Sequence, residues 1–327
     1  MKNSAKYLGV IAAVSVLTAC SRPWQTEQGL VFGTYYAVQY GASESYHAEI
    51  EAAFAEINAS LSTFDSSSVI SHINRGAGCF ETDSLFRVVY TKACEVSQLT
   101  QGAFDITVAP LVNAWGFGYD PSRQHDPGVI DSIRAFVGYG KVRLDDQRLC
   151  KDDARTKLDC SAIAKGYACD RVAEVLEARG IRDYMIDMGG ELRLSGTNSQ
   201  QKVWRIGVNQ AIDDSAQTNR NLQRTLSLTD CGVATSGNYR QFYVEGDRRI
   251  SHTIDPRTGY PTQHRLLSAT VVAPDCMTAD AYATACMVVG DTAQIRSFAE
   301  KAGLQVFAIY ADSCGRHCEW SYGPVFQ

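Results

Sequence analysis

The sequence carries no Walker-type phosphate loop, no Gly-x-Gly-x-x-Gly after a strand, no His-Glu-x-x-His and no Gly-x-Ser-x-Gly. Nucleotide hydrolases of the common kind, zinc proteases and serine hydrolases therefore find no support. Long basic runs are missing too. With 31 Lys and Arg against 36 Asp and Glu, the net charge of −5 argues against nucleic acid as a partner. No fixed-period repeat or low-complexity tract appears, and beyond residue 19 no apolar segment approaches the roughly 20 residues that a membrane helix needs.

One apolar run stands near the N-terminus. Tyr7–Leu17 follows Lys2 and Lys6, is too short to span a bilayer and has the shape of a secretory leader. It ends in Leu17-Thr18-Ala19-Cys20, which resembles the lipobox of bacterial lipoproteins. Residues 1–19 are thus expected to be a signal peptide and Cys20 a lipidated N-terminus. Residues 20–29 are expected to be a polar tether, and residues 30–327 a soluble body held on the periplasmic side of a bacterial membrane by lipid alone. Removing Lys2 and Lys6 takes the charge from −5 to −7. About three hundred residues remain, enough for one large core or two small ones.

Of the 11 cysteines, ten follow Cys20. An exported protein meets an oxidising compartment, so some are free to pair, yet Cys160, Cys169 and Cys286 sit in apolar patterns that equally suit buried thiols. Cys314 and Cys318 have no second ligand pair and read as a local disulfide or as two unrelated thiols.

Periodicity orders the rest of the chain. Val31–Tyr40 reads as a first strand interrupted by Gly33, and Ile50, Phe54, Ile57 and Leu61 mark a helix over 46–61. Ser62–Ile70 reads as a loop, 85–99 as a helix closed by Gly102, and 102–118 as a loop rich in glycine and aromatics of the kind that often lines a pocket. A helix over 130–136 and strands in 141–149, 184–188, 203–209, 222–228 and 267–273 follow, with a hairpin over 241–251. Thr278 is expected to cap a helix from Ala279 to Val289, Asp291 to cap a last helix, and 305–310 to form the closing strand.

Two segments carry chemistry. In Leu158–Asp170, Ser161 is expected to N-cap a helix whose apolar positions are Ala168, Val172, Val175 and Leu176, stopped by Gly180. Asp159, Ser161 and Lys165 then surround a helix N-terminus. Its unpaired N–H groups suit phosphate, while carboxylate and carbonyl oxygens suit a hard cation or hydroxyl groups. In the second segment, Asp280 and Thr284 lie four apart on one face of an otherwise small and apolar helix. They offer two hard ligands for Mg²⁺ or Ca²⁺, or else an Asp paired with a cation and a Thr bonded to its own helix.

Eight motifs, read in order, resemble those of the ApbE family, the FAD:protein FMN transferases. They are Gly33-Thr34, Ser62-Thr63-Phe64-Asp65, Gly102-Ala103-Phe104-Asp105-Ile106-Thr107, Asp159-x-Ser161-Ala162-Ile163-Ala164-Lys165-Gly166-Tyr167-Ala168, Gly189-Gly190-Glu191, Ala234-Thr235-Ser236-Gly237-Asn238-Tyr239, Ser251-His252-x-Ile254-Asp255-Pro256-Arg257-Thr258-Gly259 and Asp280-Ala281-x-Ala283-Thr284-Ala285. The resemblance implies an α+β fold related to the tunnelling fold, with mixed or antiparallel sheets and packed helices.

It further implies an exported enzyme that splits FAD with Mg²⁺, joins FMN through a phosphoester to a Thr or Ser of an acceptor protein and releases AMP. Acceptors in the family are subunits of Na⁺-translocating quinone reductases and Rnf-type pumps. Carried over position by position, the Mg²⁺ ligands are the carbonyl of Ala162 and the side chains of Asp280 and Thr284. FAD contacts are Phe32, Thr63, Phe64, Ala103, Phe104, Asp105, Asp159, Lys165 and Ile254. Phe32 stands where many relatives have Met, and Lys165 where some have Glu. His252, the one His within a motif, is a candidate to take the acceptor hydroxyl's proton, an imidazole having an ordinary pKa of about 6.5; Asp159 is the second candidate catalytic group. The same residues also suit a pyrophosphatase that sends FMN to water, or a lipoprotein that stores flavin.

Overall fold

In the segment Gln305–Ala311, Val306 and Ala308 join one apolar cluster while Phe307 and Ile309 join another, the period-two alternation of a strand buried on both faces. That alternation recurs across the sheet and sets the architecture. The computed structural model describes residues 23–212, 221–238, 242–246 and 248–326. Among them the strands are β1 Gln25–Val31, β2 Thr34–Tyr40, β3 Gly78–Glu81, β4 Val142–Asp145, β5 Arg148–Lys151, β6 Tyr184–Met188, β7 Glu191–Ser195 and β8 Trp204–Asn209. They continue with β9 Leu222–Leu228, β10 Cys231–Gly237, β11 Phe242–Glu245, β12 Arg248–Ser251, β13 Leu266–Ala273, β14 Gln305–Ala311 and β15 His317–Tyr322. The helices are α1 His47–Leu61, α2 Val69–Ile73, α3 Ser84–Leu99, α4 Ala109–Ala114, α5 Pro127–Arg134, α6 Ala164–Ala178, α7 Cys276–Val289 and α8 Thr292–Lys301.

Eight strands form one sheet in the order β1-β2-β6-β7-β10-β13-β14-β15, every neighbouring pair antiparallel. One face, with Tyr36, Val38, Ile186, Met188 and Val271, packs with α1, α3, α6 and α7 in the main core. The other face, with Leu192, Leu194, Val233 and Val272, packs against the β8–β9 hairpin through Trp204, Ile206, Val208, Leu226 and Leu228. A third apolar cluster of Leu111, Ala114, Trp115, Ile130, Val137, Ile250 and Ile254 joins α4 and α5 to the β11–β12 hairpin and the loop after it. Trp115 pins that unit by donating its indole N–H to the Gly259 carbonyl at 2.8 Å. The α+β reading with antiparallel sheets and packed helices thus holds.

The helix α7 is apolar around nearly its whole circumference, which only a site enclosed on all sides can accommodate, and it lies between the sheet and α6. Asp275 caps it by accepting from Thr278 N at 2.7 Å, and Gly290 ends it with φ +65°. So the helix begins one turn earlier than the Thr278 cap implied: an Asp with extended backbone outcompetes a Thr already inside the first turn.

Other boundaries move for similarly local reasons. The polar segment expected as tether is part of the sheet from Gln25 onward, since β1 pairs residue for residue with β2 and Trp24 packs edge-on to Trp204 at 5.9 Å. The single strand expected over 31–40 is two strands joined by the two-residue turn Phe32-Gly33, both at positive φ (51° and 74°). Ser161 is not the cap of α6. Its hydroxyl donates to Asp159 Oδ1 at 2.5 Å, and the helix starts at Ala164. A short helix, α2, begins inside the loop expected over 62–70, capped by Ser68, and α4 lies inside the 102–118 segment. The strand after α8 does not close the sheet: β15 pairs with it on the outer edge. Cys79 and Cys150, directly opposite each other on β3 and β5, form a disulfide across 71 residues of sequence. Cys160, Cys169 and Cys286 are buried thiols, and Cys314 and Cys318 are exposed and unbridged.

Candidate active site

The segment ahead of α6 is held in place before the helix begins. Asn74, buried, donates its amide to Leu158 O at 2.9 Å and accepts from Leu158 N at 2.8 Å, while Asp159 N donates to Ile106 O at 2.7 Å. Asp159 Oδ1 accepts from both the backbone and the hydroxyl of Ser161. These bonds tie the loop 102–108 to the start of α6. Asp105 fixes that loop from within: Oδ1 accepts from Thr107 N and Oγ1 at 2.7 Å each, and Oδ2 from Tyr139 N at 2.6 Å. Burial nonetheless raises the Asp105 pKa, against the pull of those donors.

Between α6, α7, the 102–119 segment and the loop following β12 lies a cavity of about 460 Å³. Its wall includes Thr63, Phe64, Ala103, Phe104, Asp105, Asp159, Ala162, Lys165, His252, Ile254, Asp280 and Thr284. Every candidate residue read from the sequence and lying within the described residues converges there, except one. Phe32 sits in the β1–β2 turn, its ring edge-on to Phe54 at 6.0 Å and packed on the main core, and it is not part of the cavity wall. Cys20 and Tyr239 lie outside the described residues. The wall has an aromatic rim, where Phe64 is 82 % exposed and meets Tyr119 edge-on at 6.5 Å.

The polar floor is a buried charge cluster. Asp280 is 3 % exposed, and its Oδ2 accepts from Gly166 N at 2.9 Å. In a continuing helix that N–H would return to the Ala162 carbonyl, so the bond to Asp280 frees the carbonyl from the helical ladder. Thr284 Oγ1, one turn along α7, is 3.4 Å from Ser236 Oγ. Lys165 Nζ meets Glu191 Oε1 at 2.5 Å. Burial opposes the lysine's charge, but Asp280 and Glu191 together outweigh it and hold the lysine protonated, its pKa above the ordinary range. Burial likewise raises Asp280, Lys165 and the Gly166 N–H pulling the other way, and lifts Glu191 to about 7 against the attraction of Lys165.

Such a floor suits a hard cation. Two carboxyl groups, whose ionisation burial opposes, face one ammonium, and a divalent cation placed among them would favour their charged forms. One carboxylate, one hydroxyl and one released carbonyl are oxygen donors of the kind Mg²⁺ takes, and Mg²⁺ usually draws its remaining ligands from water and substrate phosphates. Among the described residues no three His, Cys, Asp or Glu side chains gather into a metal-holding group, so a dedicated all-protein cage is not what this site offers.

Gly166 is where α6 and α7 come closest. A Cβ there would lie 2.4 Å from Cys276 O, 2.7 Å from Cys276 C and 2.8 Å from Asp280 Cβ. Gly166→Ala is therefore expected to destabilise the protein by about 1–3 kcal/mol, the usual penalty of overpacking. Thermal unfolding measures this, with Gly128→Ala as the reference because nothing lies within 4 Å of a Cβ there. A Gly166→Ala variant melting with the parent would refute the close packing of the two helices.

The sequence left some of the wall without a role. Glu191 was legible only as the end of a Gly-Gly-Glu motif, and Ser236 as part of Ala-Thr-Ser-Gly. Tyr119 and Phe117 carried no signal beyond the aromatic richness of their loop. His252 was legible, and the structure sets its ring edge-on to Phe117 at 6.3 Å.

Comparison with known proteins fits this geometry. The family model described as ApbE family matches residues 32–308. An FAD:protein FMN transferase of Haemophilus influenzae is 36 % identical over 321 residues, covering 92 % of each chain. The solved structure of the flavin transferase ApbE from Vibrio cholerae is similar at a TM-score of 0.82 and 34 % identity, covering 92 % of this chain and 97 % of that one. The apo form of Pseudomonas stutzeri flavinyl transferase ApbE is similar at 0.81 and 32 %, covering 91 % and 94 %. By its matched span, its convergent motif residues and its architecture, the chain belongs to the ApbE family.

Proposed function

We propose that this chain is an FAD:protein FMN transferase, moving FMN from FAD to a Thr or Ser hydroxyl of an acceptor protein through a phosphoester and releasing AMP. The observation that carries the reading is the convergence of Asp280, Thr284, the released Ala162 carbonyl and the Lys165 ammonium on the wall of one aromatic-rimmed cavity. Phosphoryl transfer needs little covalent help from protein, but it does need positioning and charge neutralisation. Mg²⁺ on Asp280, Thr284 and the Ala162 carbonyl would neutralise the pyrophosphate and the charge that builds on departing AMP. Lys165 adds a fixed positive charge, Asp159 and Ser161 order the approach to α6, and Thr63, Phe64, Ala103, Phe104, Asp105 and Ile254 form the wall against which the flavin nucleotide rests. His252 takes the proton of the attacking hydroxyl.

The acceptor class we propose is the flavin-bearing subunit of a Na⁺-translocating quinone reductase or Rnf-type pump. The test is incubation of the purified protein with FAD and Mg²⁺, with and without such a subunit. AMP together with denaturation-resistant fluorescence on the acceptor supports transfer. AMP with free FMN alone makes the protein a pyrophosphatase, and bound FAD with no AMP makes it a carrier.

Lipid attachment at Cys20 and a periplasmic location follow from the leader and lipobox, with residues 1–19 as leader and the catalytic body beginning with the sheet. Among the described residues no helix is long and apolar enough to cross a membrane. Cys20→Ser is therefore expected to leave activity in solution unchanged while moving the protein from the membrane fraction to the soluble fraction. The lipid acts only by raising the local concentration of enzyme near membrane-bound acceptors. Retention of Cys20→Ser in salt-washed membranes would count against the anchor.

A further inference from the structure

Glu191 opens β7 directly after the turn Gly189-Gly190, whose two residues have φ of 65° and 106°. That left-handed pair fits a two-residue hairpin turn and delivers the Glu191 side chain to the cavity wall. The residue is 6 % exposed. Its Oε1 is taken by Lys165 Nζ, but its Oε2 has no hydrogen-bond partner among the described residues. Among the described residues that hold a buried side-chain atom in that state, Glu191 alone lines the cavity. Elsewhere on the wall the buried carboxylates are engaged, Asp105 through both oxygens and Asp280 through Gly166. A buried carboxylate oxygen is costly without a donor, so protein, water or ligand supplies one in nearly every native site, and on a cavity wall the ligand is within reach of that role.

The chemistry of that donor follows from the neighbours. Lys165, with 32 % of its side chain open, draws an anionic pyrophosphate toward this end of the cavity, whereas Oε2 repels it. In FAD the groups flanking the pyrophosphate on both sides are polyol hydroxyls, those of the ribityl chain and of the ribose, while the ring N–H groups lie farther out. The hydroxyl of an acceptor Thr or Ser must also reach phosphorus at this point.

We propose that Glu191 is a further ligand-binding residue, its Oε1 holding Lys165 and its Oε2 accepting a hydrogen bond from a hydroxyl of the incoming ligand. This rests on the flavin-transferase reading and adds to it a residue with a defined partner chemistry.

The test compares Glu191→Gln with Glu191→Met. Both remove the charge from a side chain of similar length. Repeating the pair in a Lys165→Met background removes the ammonium that Oε1 holds, so a role limited to holding Lys165 leaves no difference between Gln and Met once the lysine is gone. Only Gln keeps an acceptor oxygen. Thermal unfolding checks that both fold, and Glu191→Ala replaces Met in the comparison if Met does not. FAD affinity is measured by flavin fluorescence titration, and the acceptor KM with a purified flavin-accepting subunit of the quinone reductase type. A nucleotide hydroxyl predicts that Met binds FAD tenfold or more weakly than Gln. An acceptor hydroxyl predicts equal FAD affinity with the acceptor KM tenfold or more higher for Met. Agreement of Gln and Met within twofold in both measurements, in either background, overturns the proposal. A parent protein that binds no FAD refutes instead the flavin reading beneath it.

Discussion

Replacing Asp280 with alanine is expected to reduce AMP release and flavin transfer to background. The side chain is the only carboxylate of the proposed Mg²⁺ set, and it lies at the floor of the cavity, 3 % exposed. It also has a structural duty, since its Oδ2 satisfies the Gly166 N–H. Alanine would leave that donor buried and unpaired, at a cost of about 1–3 kcal/mol, and would strip Lys165 of one counter-charge. Asp280→Asn separates the two duties. Its amide oxygen still faces Gly166, so it should unfold close to the parent temperature, whereas its NH2 then replaces the oxygen left for the cation and the negative charge is lost. Metal stabilisation of phosphoryl transfer is worth several kcal/mol, and at 1.36 kcal/mol per factor of ten the Asn variant should lose roughly 10²-fold or more in turnover. Rates of AMP release across a Mg²⁺ titration decide the matter. Parent-like rates in either variant would refute the ligand assignment. Thr284→Ala should be milder, because a neutral hydroxyl is replaceable by water and Ser236 Oγ stands 3.4 Å away.

His252→Ala is expected to slow FMN transfer by roughly 10²-fold or more while FAD binding changes little, the usual contribution of a positioned general base. The residue opens a loop closed by the Ile254–Pro261 bridge and by the bond from Thr262 N to Thr253 O at 3.0 Å, a frame that holds its position on the cavity wall. A base acts on the acceptor's proton rather than on resting contacts to FAD, so affinity and rate should separate. Flavin titration beside a transfer assay measures both. Collapse of FAD affinity with unchanged transfer per bound FAD would make His252 a ligand contact and leave the base to be sought among Asp159, Asp255 and metal-bound water.

Much of this molecule is legible wherever one physical signal dominates. Ile50, Phe54, Ile57 and Leu61 are buried on α1 as their spacing requires, and Asp291 caps α8 by accepting from Gln294 N. The β8–β9 pair and β6 follow their alternation. Reading fails where two local partners compete. Ser161 has good N-cap chemistry, but Asp159 two residues earlier captures its hydroxyl, and α6 begins at Ala164 without a side-chain cap. Thr278 loses the cap of α7 to Asp275.

The site shows the same division. Asp280 and Thr284 announce themselves as polar groups on an apolar helix, and Lys165 as a charge at a helix start. Their meeting with Glu191 depends on the hairpin of β6 and β7 delivering a side chain 26 positions downstream of Lys165, which no local pattern encodes. Phe32 illustrates the reverse. Its motif context points to the ligand, yet the two-residue turn aims its ring at Phe54.

The central claim is that the Asp280 floor and the cavity above it move FMN onto a protein hydroxyl. The intact mass of an acceptor subunit after incubation with FAD, Mg²⁺ and this protein tests it most directly. The account predicts that the acceptor gains one FMN in phosphoester linkage at a Thr or Ser, with one AMP released per FMN attached, and that neither appears with Asp280→Asn. An acceptor of unchanged mass beside stoichiometric AMP and free FMN, or an Asp280→Asn protein that labels the acceptor as the parent does, would contradict it.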